Sequence, residues 1–404
     1  MATRNVLISG GGIAGPAVAF WLARRGFAVT IVERAPAPRP GGQAVDLRGA
    51  GRTVVDRMGL LDAVRAVSLD QRGIAWVRND GRVAARMPAD AFGGEGIVSE
   101  IEVLRGDLTA LLYEASLPET EYLFDDTVTA LDQDDHGVRV TFQRSAPRRF
   151  DFVVGADGSH SVVRDLAVAS EADCTEPLGC YTSWFTAPAE FDLDGWFLMH
   201  NAPGGLVASV RPGRLPGEHK VALSFRSVPL ALDRFDVSAQ KAIVAEHFAG
   251  AGWEVPRLIA AMHDAADFVL DSLGQVRLPA WSRGRVVLLG DAAWCPTPLT
   301  GLGTTLAVVG AYVLAGELAT ADDDHDLAFR RFEEVLRAYV ATSQQLPPGG
   351  VGSFAPISPM RIRLGMASMR WMTRWPARPL LAGQFAKAGQ IDLPDYEAVA
   401  PTRG

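Results

Sequence analysis

The feature that most constrains this chain is a glycine-rich loop between a short apolar run and a helix-forming segment near the amino terminus. Residues 10–15 read Gly-Gly-Gly-Ile-Ala-Gly and follow a strand predicted over Asn5 to Ser9. A helix is predicted over Pro16 to Gly26, and a second buried strand over Val29 to Glu33. This order is a β-α-β unit whose helix N-terminus presents unpaired N–H groups to a phosphate.

Each glycine of the loop has its own physical reason. Gly10 permits the tight turn, Gly12 lets the backbone approach a pyrophosphate, and Gly15 lets the helix pack closely on the strand. Glu33 ends the second strand, where a carboxylate hydrogen-bonds a ribose diol and disfavours a 2′-phosphate. Together these residues predict an adenine dinucleotide, but they do not distinguish FAD from NAD.

Two later segments favour FAD. The first, Phe150 to Arg164, is an apolar strand followed by a turn that contains Asp157, although a capped helix without a ligand is an alternative. The second, Arg285 to Thr305, ends a strand at Asp291, whose carboxylate could accept a hydrogen bond from a ribityl hydroxyl. The glycines that follow let the backbone approach a flat ring, and the next helix directs its positive end at a reduced flavin.

Composition limits the partners of the chain. Its 404 residues carry a net charge of −8, which argues against nucleic acid because phosphate binding needs a basic surface. The three cysteines form no metal-binding or disulfide pattern and the histidines are scattered, so we expect no metal site and a cytoplasmic location. The most membrane-like stretch, Leu302 to Ala319, contains two threonines and a glutamate and is predicted to be a buried helix, so no membrane partner is expected.

The order of elements predicts an α/β fold in which a nucleotide-binding domain is interrupted. From about residue 175 to 275, short alternating runs indicate a mostly antiparallel sheet. We therefore predict a Rossmann-like domain made of residues 1–72, 100–168 and 276–345, with an inserted β-sheet substrate domain made of residues 73–99 and 169–275. The cleft between two such domains is a common ligand site.

The three segments, in this order, resemble the group A flavoprotein monooxygenases, the para-hydroxybenzoate hydroxylase-like family. The resemblance spans nearly the whole chain and is greatest to the shorter, tetracycline-inactivating-type members and to enzymes of actinobacterial natural-product pathways. It implies that the glycine loop binds the ADP part of FAD, that Gly155 to Arg164 is associated with FAD and NADPH, and that Asp291 contacts the ribityl chain. Arg105 resembles the arginine of the family's FAD-contacting helix.

The resemblance also implies that residues 346–404 form a helical segment that bridges the two domains. The stretch from Met360 to Lys387 is basic and rich in methionine, so a helix on a membrane surface is the alternative. Pro376 and Pro379 interrupt such a helix, which favours the bridge.

Two departures from the family pattern affect side chains rather than backbone. Trp294 stands where the family often has His, Tyr or Phe, and residues 301–305 read Gly-Leu-Gly-Thr-Thr where Gly-Gln-Gly with a following Asn is common. The backbone approach of the two glycines survives these changes, whereas any role of the missing Gln and Asn side chains does not.

The family mechanism implies reduction of FAD by NADPH or NADH and reaction with O₂ to a flavin C4a-hydroperoxide. One oxygen atom then passes to an aromatic or polyketide-like molecule, by hydroxylation, epoxidation or Baeyer–Villiger chemistry, without a protein nucleophile.

Arg48 and Pro298 are the candidate catalytic residues, and a monomer or weak homodimer is expected. Candidate substrate contacts lie on strands of the inserted sheet, namely Trp184, Phe197 and Arg211, although core packing is the alternative for the two aromatic residues. The candidate FAD contacts are Gly10, Gly12, Ile13, Ala14, Gly15, Glu33, Arg34, Arg105, Asp157, Asp291, Pro298, Gly301, Leu302 and Gly303.

Two alternatives use the same fold. One is another flavin oxidoreductase, such as a halogenase or an isoprenoid reductase, although the halogenase segment Trp-x-Trp-x-Ile-Pro does not occur in the sequence. The other is a cyclase or tailoring enzyme that keeps FAD without net redox chemistry, since its flavin-binding segments would read the same.

Overall fold

The computed structural model describes residues 4–94, 96–233, 236–321, 324–372 and 389–396. Within these ranges the chain forms the α/β architecture that the sequence predicts. The strands are β1 (Asn5–Ser9), β2 (Ala28–Glu33), β3 (Ala44–Asp46), β4 (Gly73–Val77), β5 (Val83–Pro88), β6 (Glu102–Leu104), β7 (Thr120–Phe124), β8 (Val128–Asp134), β9 (Gly137–Phe142), β10 (Arg148–Phe150), β11 (Phe152–Gly155), β12 (Thr175–Pro188), β13 (Trp196–Ala202), β14 (Leu206–Pro212), β15 (Glu218–Arg226), β16 (Val269–Val276), β17 (Ser282–Arg283) and β18 (Val286–Leu288). The helices are α1 (Ala14–Ala23), α2 (Gly49–Arg57), α3 (Leu61–Ala66), α4 (Arg105–Ser116), α5 (Val162–Ala167), α6 (Glu171–Cys174), α7 (Val237–His247), α8 (Val255–Asp264), α9 (Asp291–Trp294), α10 (Gly303–Thr320), α11 (His325–Ser343), α12 (Gly350–Phe354) and α13 (Pro359–Met372).

A six-stranded sheet in the order β17-β18-β11-β1-β2-β7 carries the nucleotide-type elements. Strands β18 to β7 are parallel, and the edge strand β17 runs antiparallel to β18. The last four residues of β1 are all buried, as expected for a strand covered on both faces. Because β1 and β11 are parallel neighbours, the loops that follow them, with Gly10 and Asp157, emerge at one edge of the sheet.

A second, seven-stranded sheet has the strand order β16-β12-β15-β14-β13-β4-β5. Phe185 and Val210 belong to an apolar core that includes residues of α7 and α8, so this face of the sheet is covered by those helices. Since side chains alternate along a strand, the neighbouring Trp184 and Arg211 lie on the opposite face. We call this opposite face, with Trp184, Phe197 and Arg211, the inner face of the seven-stranded sheet.

Helix α10 is the central helix of the nucleotide-type part and packs against α1, α2 and α11. Among the described residues it is the one helix long and apolar enough to cross a membrane, and 83% of its length is buried within the protein. This placement matches the buried helix predicted from Leu302 to Ala319.

Two predicted helices have different bounds in the structure. The sequence predicts one helix over Thr53 to Ala66, but the structure divides it into α2 and α3, because Gly59 has a φ of 73°, which ends an α-helix. The sequence also predicts an amphipathic helix over Val103 to Glu114, but this helix begins at Arg105 instead, since Glu102–Leu104 pairs as β6 with β3. Local apolar spacing does not reveal a strand whose partner lies far away in sequence.

The described parts of residues 346–404 contact both the seven-stranded sheet and helix α10 of the nucleotide-type part. Helix α13 packs on β5 and β13, and Arg370 donates a hydrogen bond to the carbonyl of Ala84. Tyr396 lies instead on α10, where its hydroxyl donates to Glu317 at 2.5 Å. Residues 373–388 and 397–404 of the predicted bridge lie outside the described residues, and the division into domains stays a prediction.

Candidate functional site

The three predicted motifs meet at the carboxyl edge of the six-stranded sheet. The loop after β1 lies against the loop after β11, because a Cβ on Gly10 would stand 2.4 Å from the carbonyl oxygen of Ala156. The same loop lies against the start of α9, since a Cβ on Gly290 would stand 3.2 Å from the Cβ of Ala14. Segments separated by more than a hundred residues therefore form one continuous surface.

The glycine loop has two positions filled by backbone and one that is open. A Cβ on Gly15 would stand 1.9 Å from the carbonyl oxygen of Gly10, whereas a Cβ on Gly12 would meet Arg105 Nη2 at 3.6 Å. Gly12 thus faces a guanidinium in front of the N-terminus of α1, where Ile13 precedes the first turn. An open cradle with a cation and unpaired helix N–H groups fits the pyrophosphate of FAD.

Glu33 lies beside this cradle, at the end of β2. Its carboxylate accepts hydrogen bonds from the N–H of Gly11 at 2.7 Å and of Ala35 at 2.9 Å. Arg39 is paired with it at 3.6 Å, and Arg34 is exposed next to it. The carboxylate is therefore fixed at the rim of the loop where the sequence predicts a ribose.

Asp157 is placed as an anchor of helix α5. Its carboxylate accepts hydrogen bonds from the hydroxyl of Ser161 and from the N–H of Val163 at 3.1 Å, and burial raises its pKa. Arg164 in the same segment is fully buried and donates to the carbonyl of Ala292 at 3.2 Å. The segment from Asp157 to Arg164 therefore joins the glycine loop to α9, a connection that the sequence did not reveal.

Asp291 lies at the start of α9 and faces the N-terminus of α10. A Cβ on Gly303 would stand 3.7 Å from Asp291 Oδ1. Burial raises the pKa of Asp291, and the Arg105 guanidinium opposes that rise. Arg105 lies next to Gly12 and also stabilises the charged form of Asp291. These three residues therefore mark a track from the pyrophosphate cradle toward α10.

The loop before α10 has a strained backbone. Thr297 has a φ of 75°, which is rare for a residue with a branched side chain, and its buried hydroxyl has no hydrogen-bond partner among the described residues. Pro298 is exposed, Gly301 has a φ of 65°, and Leu302 is buried. Strain and an unpaired buried hydroxyl at one loop are typical of a ligand site.

An ion pair closes the underside of this loop. Arg48 is buried and donates to Asp46 Oδ2 at 3.0 Å and to the carbonyl of Gly96 at 2.7 Å. A Cβ on Gly301 would stand 2.7 Å from Asp46 Oδ2, so the pair touches the loop directly. Asp46 Oδ1 is buried and unpaired among the described residues, which fits a polar ligand atom beside Gly301.

The inner face of the seven-stranded sheet supplies an apolar surface opposite the loop. Trp184, Met199, Leu299 and Phe354 all pack on one apolar cluster, and Leu299 belongs to the loop before α10. The structure therefore brings the predicted substrate residue Trp184 to the same cluster as this loop.

The other two predicted substrate residues form a unit. The guanidinium of Arg211 stacks over the ring of Phe197, with 3.9 Å between its central carbon and the ring centroid. Its Nη1 donates to Glu102 Oε1 at 2.6 Å, and Gln71 donates to the other carboxylate oxygen at 2.6 Å. Burial raises the pKa of Glu102 to about 7, although Arg211 lowers it.

Glu102 was missed by the sequence analysis. It lies in β6, a buried strand, directly opposite Asp46 of the half-buried strand β3, so two carboxylates face one another across this strand pair. The signal was present as an acid inside the apolar run from Ile101 to Leu104. A carboxylate in such a run has to be paired or protonated when it is buried.

Comparison with known proteins agrees with this geometry. Residues 3–325 match the family described as FAD binding domain. A flavin-dependent monooxygenase of Legionella longbeachae is 34% identical over 84% of this chain and 87% of its own. The flavin-dependent monooxygenase eupH of Phoma sp is 35% identical, covering 99% of this chain and 100% of its own.

A solved structure has the same architecture over nearly the whole chain. The crystal structure of tetracycline destructase Tet(55) superimposes with a TM-score of 0.82 at 33% identity, covering 98% of this chain and 99% of the other. Because the family match and these relatives extend over most of the chain, the resemblance found in the sequence is confirmed. The chain belongs to the FAD-binding flavin-dependent monooxygenases.

Proposed function

We propose that this enzyme consumes NADH or NADPH and O₂ and transfers one oxygen atom to an aromatic or polyketide-like small molecule in the cytoplasm. The observation that carries the proposal is the position of the loop before α10. Its Leu299 shares an apolar cluster with Trp184, while its Gly301 touches the Asp46–Arg48 pair. A flat, reducible ring against this loop would have an apolar surface on one side and a buried ion pair on the other.

The residues that would hold FAD follow the track from the glycine loop to α10. Gly12, Gly15 and the first turn of α1, with Ile13 and Ala14, would hold the pyrophosphate next to Arg105. The rim of the glycine loop would hold the ribose, with Glu33 and the exposed Arg34. A direct contact from Asp157 stays a prediction, because its carboxylate is already engaged by Ser161 and Val163.

The far end of the track would hold the reactive part of the cofactor. Asp291 would accept a hydrogen bond from the ribityl chain, and the backbone at Gly301, Leu302 and Gly303 would lie along the ring, with Pro298 at its exposed side. Reduced FAD supplies the electrons that activate O₂ for oxygen-atom transfer. The N-terminus of α10 would stabilise negative charge on the ring through its unpaired N–H groups.

The inner face would orient the substrate and exclude water. Trp184 and Met199 offer apolar surface for a polycyclic molecule, and Phe197 with Arg211 offers a cation stacked on an aromatic ring. Exclusion of water protects a reactive oxygen species from wasteful decay. The solved structure that superimposes on this chain is a tetracycline destructase. Tetracycline, a polycyclic phenol and enol, is therefore the first probe for this chain.

The test is an aerobic assay of the purified, FAD-loaded protein with NADH, NADPH and tetracycline. We expect NAD(P)H oxidation that tetracycline accelerates and a product one oxygen atom heavier, with the added atom derived from labelled dioxygen. A product of unchanged mass formed without NAD(P)H would favour a cyclase or tailoring role. A protein that cannot be loaded with FAD would contradict the proposal altogether.

A further inference from the structure

A buried network of four charged residues connects the loop before α10 with the inner face of the seven-stranded sheet. Asp46 and Glu102 face each other across β3 and β6, and each has its own arginine. Arg48 pairs with Asp46 at 3.0 Å, and Arg211 pairs with Glu102 at 2.6 Å. The two pairs differ in their surroundings, and that difference carries the inference.

The Asp46–Arg48 pair is fixed by protein on all sides that the structure describes. Arg48 also donates to the carbonyls of Gly96 and Ile97, and its backbone N–H donates to the hydroxyl of Thr305. A guanidinium with this many partners cannot leave Asp46 without exposing several buried groups. This pair is therefore the static half of the network.

In the Glu102–Arg211 pair, Glu102 is buried and held in place, whereas Arg211 lies at the inner face of the seven-stranded sheet. Glu102 is 4% exposed and is also held by Gln71, whereas the side chain of Arg211 is 15% exposed and lies on the ring of Phe197. Arg211 comes from β14 of the seven-stranded sheet, whereas Glu102 lies in β6, which pairs with β3 in a two-stranded sheet, so their ion pair connects these two sheets. Arg211 is the member of the network that borders the inner face.

We propose that Glu102 is a positioning residue that yields Arg211 to an anionic substrate. With no substrate present, Glu102 holds the guanidinium on Phe197; when a phenolate, enolate or carboxylate binds there, Arg211 pairs with that anion. Glu102 then takes up one proton from solvent, so its carboxylate becomes a neutral carboxyl and the buried charge is unchanged. The proposal rests on the proposed function only in placing substrate on the inner face.

The charges around Glu102 explain why it would take up that proton. The groups that face it are Asp46 from β3, Arg48 from the start of α2 and Arg211 from β14, together with the neutral amide of Gln71. Without Arg211, the carboxylate would lie buried beside a second carboxylate, and Arg48 is already engaged with Asp46. A buried acid in such surroundings is neutral at physiological pH.

The experiment measures proton uptake when the FAD-loaded protein binds benzoate, an aromatic anion that keeps its charge above pH ~5. Calorimetric titrations in two buffers with different ionisation enthalpies give the number of protons taken up. At about pH 8.5 the wild type should take up close to one proton more than Glu102→Gln, and at about pH 5.5 the two should agree. Above pH ~7 the wild-type affinity should fall about tenfold per pH unit, while the affinity of Glu102→Gln stays flat.

Glu100→Gln is the matched control, because Glu100 is two residues away with a side chain that is 64% exposed. It should behave as the wild type does. The aerobic assay with tetracycline tests the proposed function separately: Glu102-dependent proton uptake with benzoate, but no oxygenation of tetracycline, supports the inference and counts against the proposed function. If benzoate does not bind, or binds with equal proton uptake in the wild type and Glu102→Gln, the inference is overturned.

Discussion

The glycine loop and the inner face of the seven-stranded sheet are both built for binding, but they are held in place by different parts of the chain. At the loop, backbone meets backbone: a Cβ on Gly10 would stand 2.4 Å from a carbonyl oxygen, and one on Gly15 would stand 1.9 Å from another. On the inner face, side chains meet side chains, as Arg211 meets Phe197 and Glu102.

This difference indicates which region tolerates change. A backbone cradle depends on residues without a Cβ, so a single methyl group disrupts the fold itself. A surface of side chains can change its contacts while the strands beneath keep their hydrogen bonds. We therefore expect substitutions of Gly10 and Gly15 to affect folding and FAD together, and substitutions on the inner face to affect substrate alone.

The largest effect is expected from Gly15→Ala. Its Cβ would overlap the carbonyl oxygen of Gly10, and both atoms belong to backbone that cannot move without displacing β1 or α1. We expect a loss of about 3 kcal/mol or more in the free energy of unfolding, with little FAD retained. Thermal unfolding and the flavin absorbance of the purified protein measure the two effects.

Two further glycines sharpen this result. Gly365→Ala in α13 is the control, because a Cβ there has no neighbour within 4 Å, and stability should stay the same or rise. Gly12→Ala should fold normally and bind FAD more weakly, since its Cβ would point toward Arg105 into the cradle. A Gly15→Ala protein with wild-type stability would show that the backbone of the loop can move to accept a Cβ. That result would contradict the proposed difference between the glycine loop and the inner face.

The second prediction concerns the far end of the cofactor track. Asp291→Ala should weaken FAD binding by about 1–3 kcal/mol, because it removes a half-buried acceptor for one ribityl hydroxyl. The dissociation constant of FAD, measured by fluorescence titration of the apoprotein, checks this. Asp62→Ala is the control, since that side chain is fully exposed. Equal affinity in the wild type and Asp291→Ala would remove Asp291 from the site.

These regions also differ in how far the sequence predicted them. The sequence singled out the glycine loop, Asp157 and Asp291 as candidates because each lies within a local pattern of strand, turn and helix. The structure shows that Asp157 anchors α5, as the capped-helix alternative expects, whereas Arg164 reaches the carbonyl of Ala292 in a segment far away in sequence. Sequence spacing cannot reveal such contacts.

The inner face was predicted only as a set of alternating strands. The sequence placed Trp184 and Arg211 on predicted strands of this sheet, but it did not indicate that they share a face or what they would meet. Glu102 and its pairing with Arg211 depend on the register of β3 with β6 and on the contact between two sheets. Neither is encoded within a window of a few residues.

A smaller effect is expected on the inner face itself. Trp184→Ala should raise KM for tetracycline about tenfold, which corresponds to ~1.4 kcal/mol, because it removes apolar contact area. FAD affinity and the rate of NAD(P)H oxidation without substrate should not change. Trp371→Ala, at a tryptophan that is 61% exposed, is the control. If Trp184→Ala lost FAD as well, the separation of the two regions would be contradicted.

The smallest effect is expected at His160, which joins α6 to β16 at the boundary of the two sheets. Its ring contacts Glu171 at 2.8 Å and Asp271 at 3.2 Å, and the hydrogen bond to Asp271 raises its pKa. A raised histidine pKa stabilises the fold fully below the unfolded pKa of ~6.5, and this contribution is lost as pH rises through the folded pKa.

Replacement of this histidine should therefore matter only at low pH. His160→Gln should lower the free energy of unfolding by up to about 1 kcal/mol near pH 6 and have no effect near pH 9. Denaturant unfolding at both pH values measures this, with His136→Gln at an exposed position as the control. An equal loss at both pH values would mean that packing, not charge, holds this boundary.

The central claim is that three distant segments form one FAD site facing the inner face of the seven-stranded sheet. A crystal structure of the FAD-loaded protein tests it most directly. We predict the pyrophosphate at Gly12 and Arg105, the ribityl chain at Asp291, and the ring along Gly301, with space for the substrate between the ring and the surface that contains Trp184. A ring bound away from the loop before α10, with Asp291 free of the ribityl chain, would contradict the account.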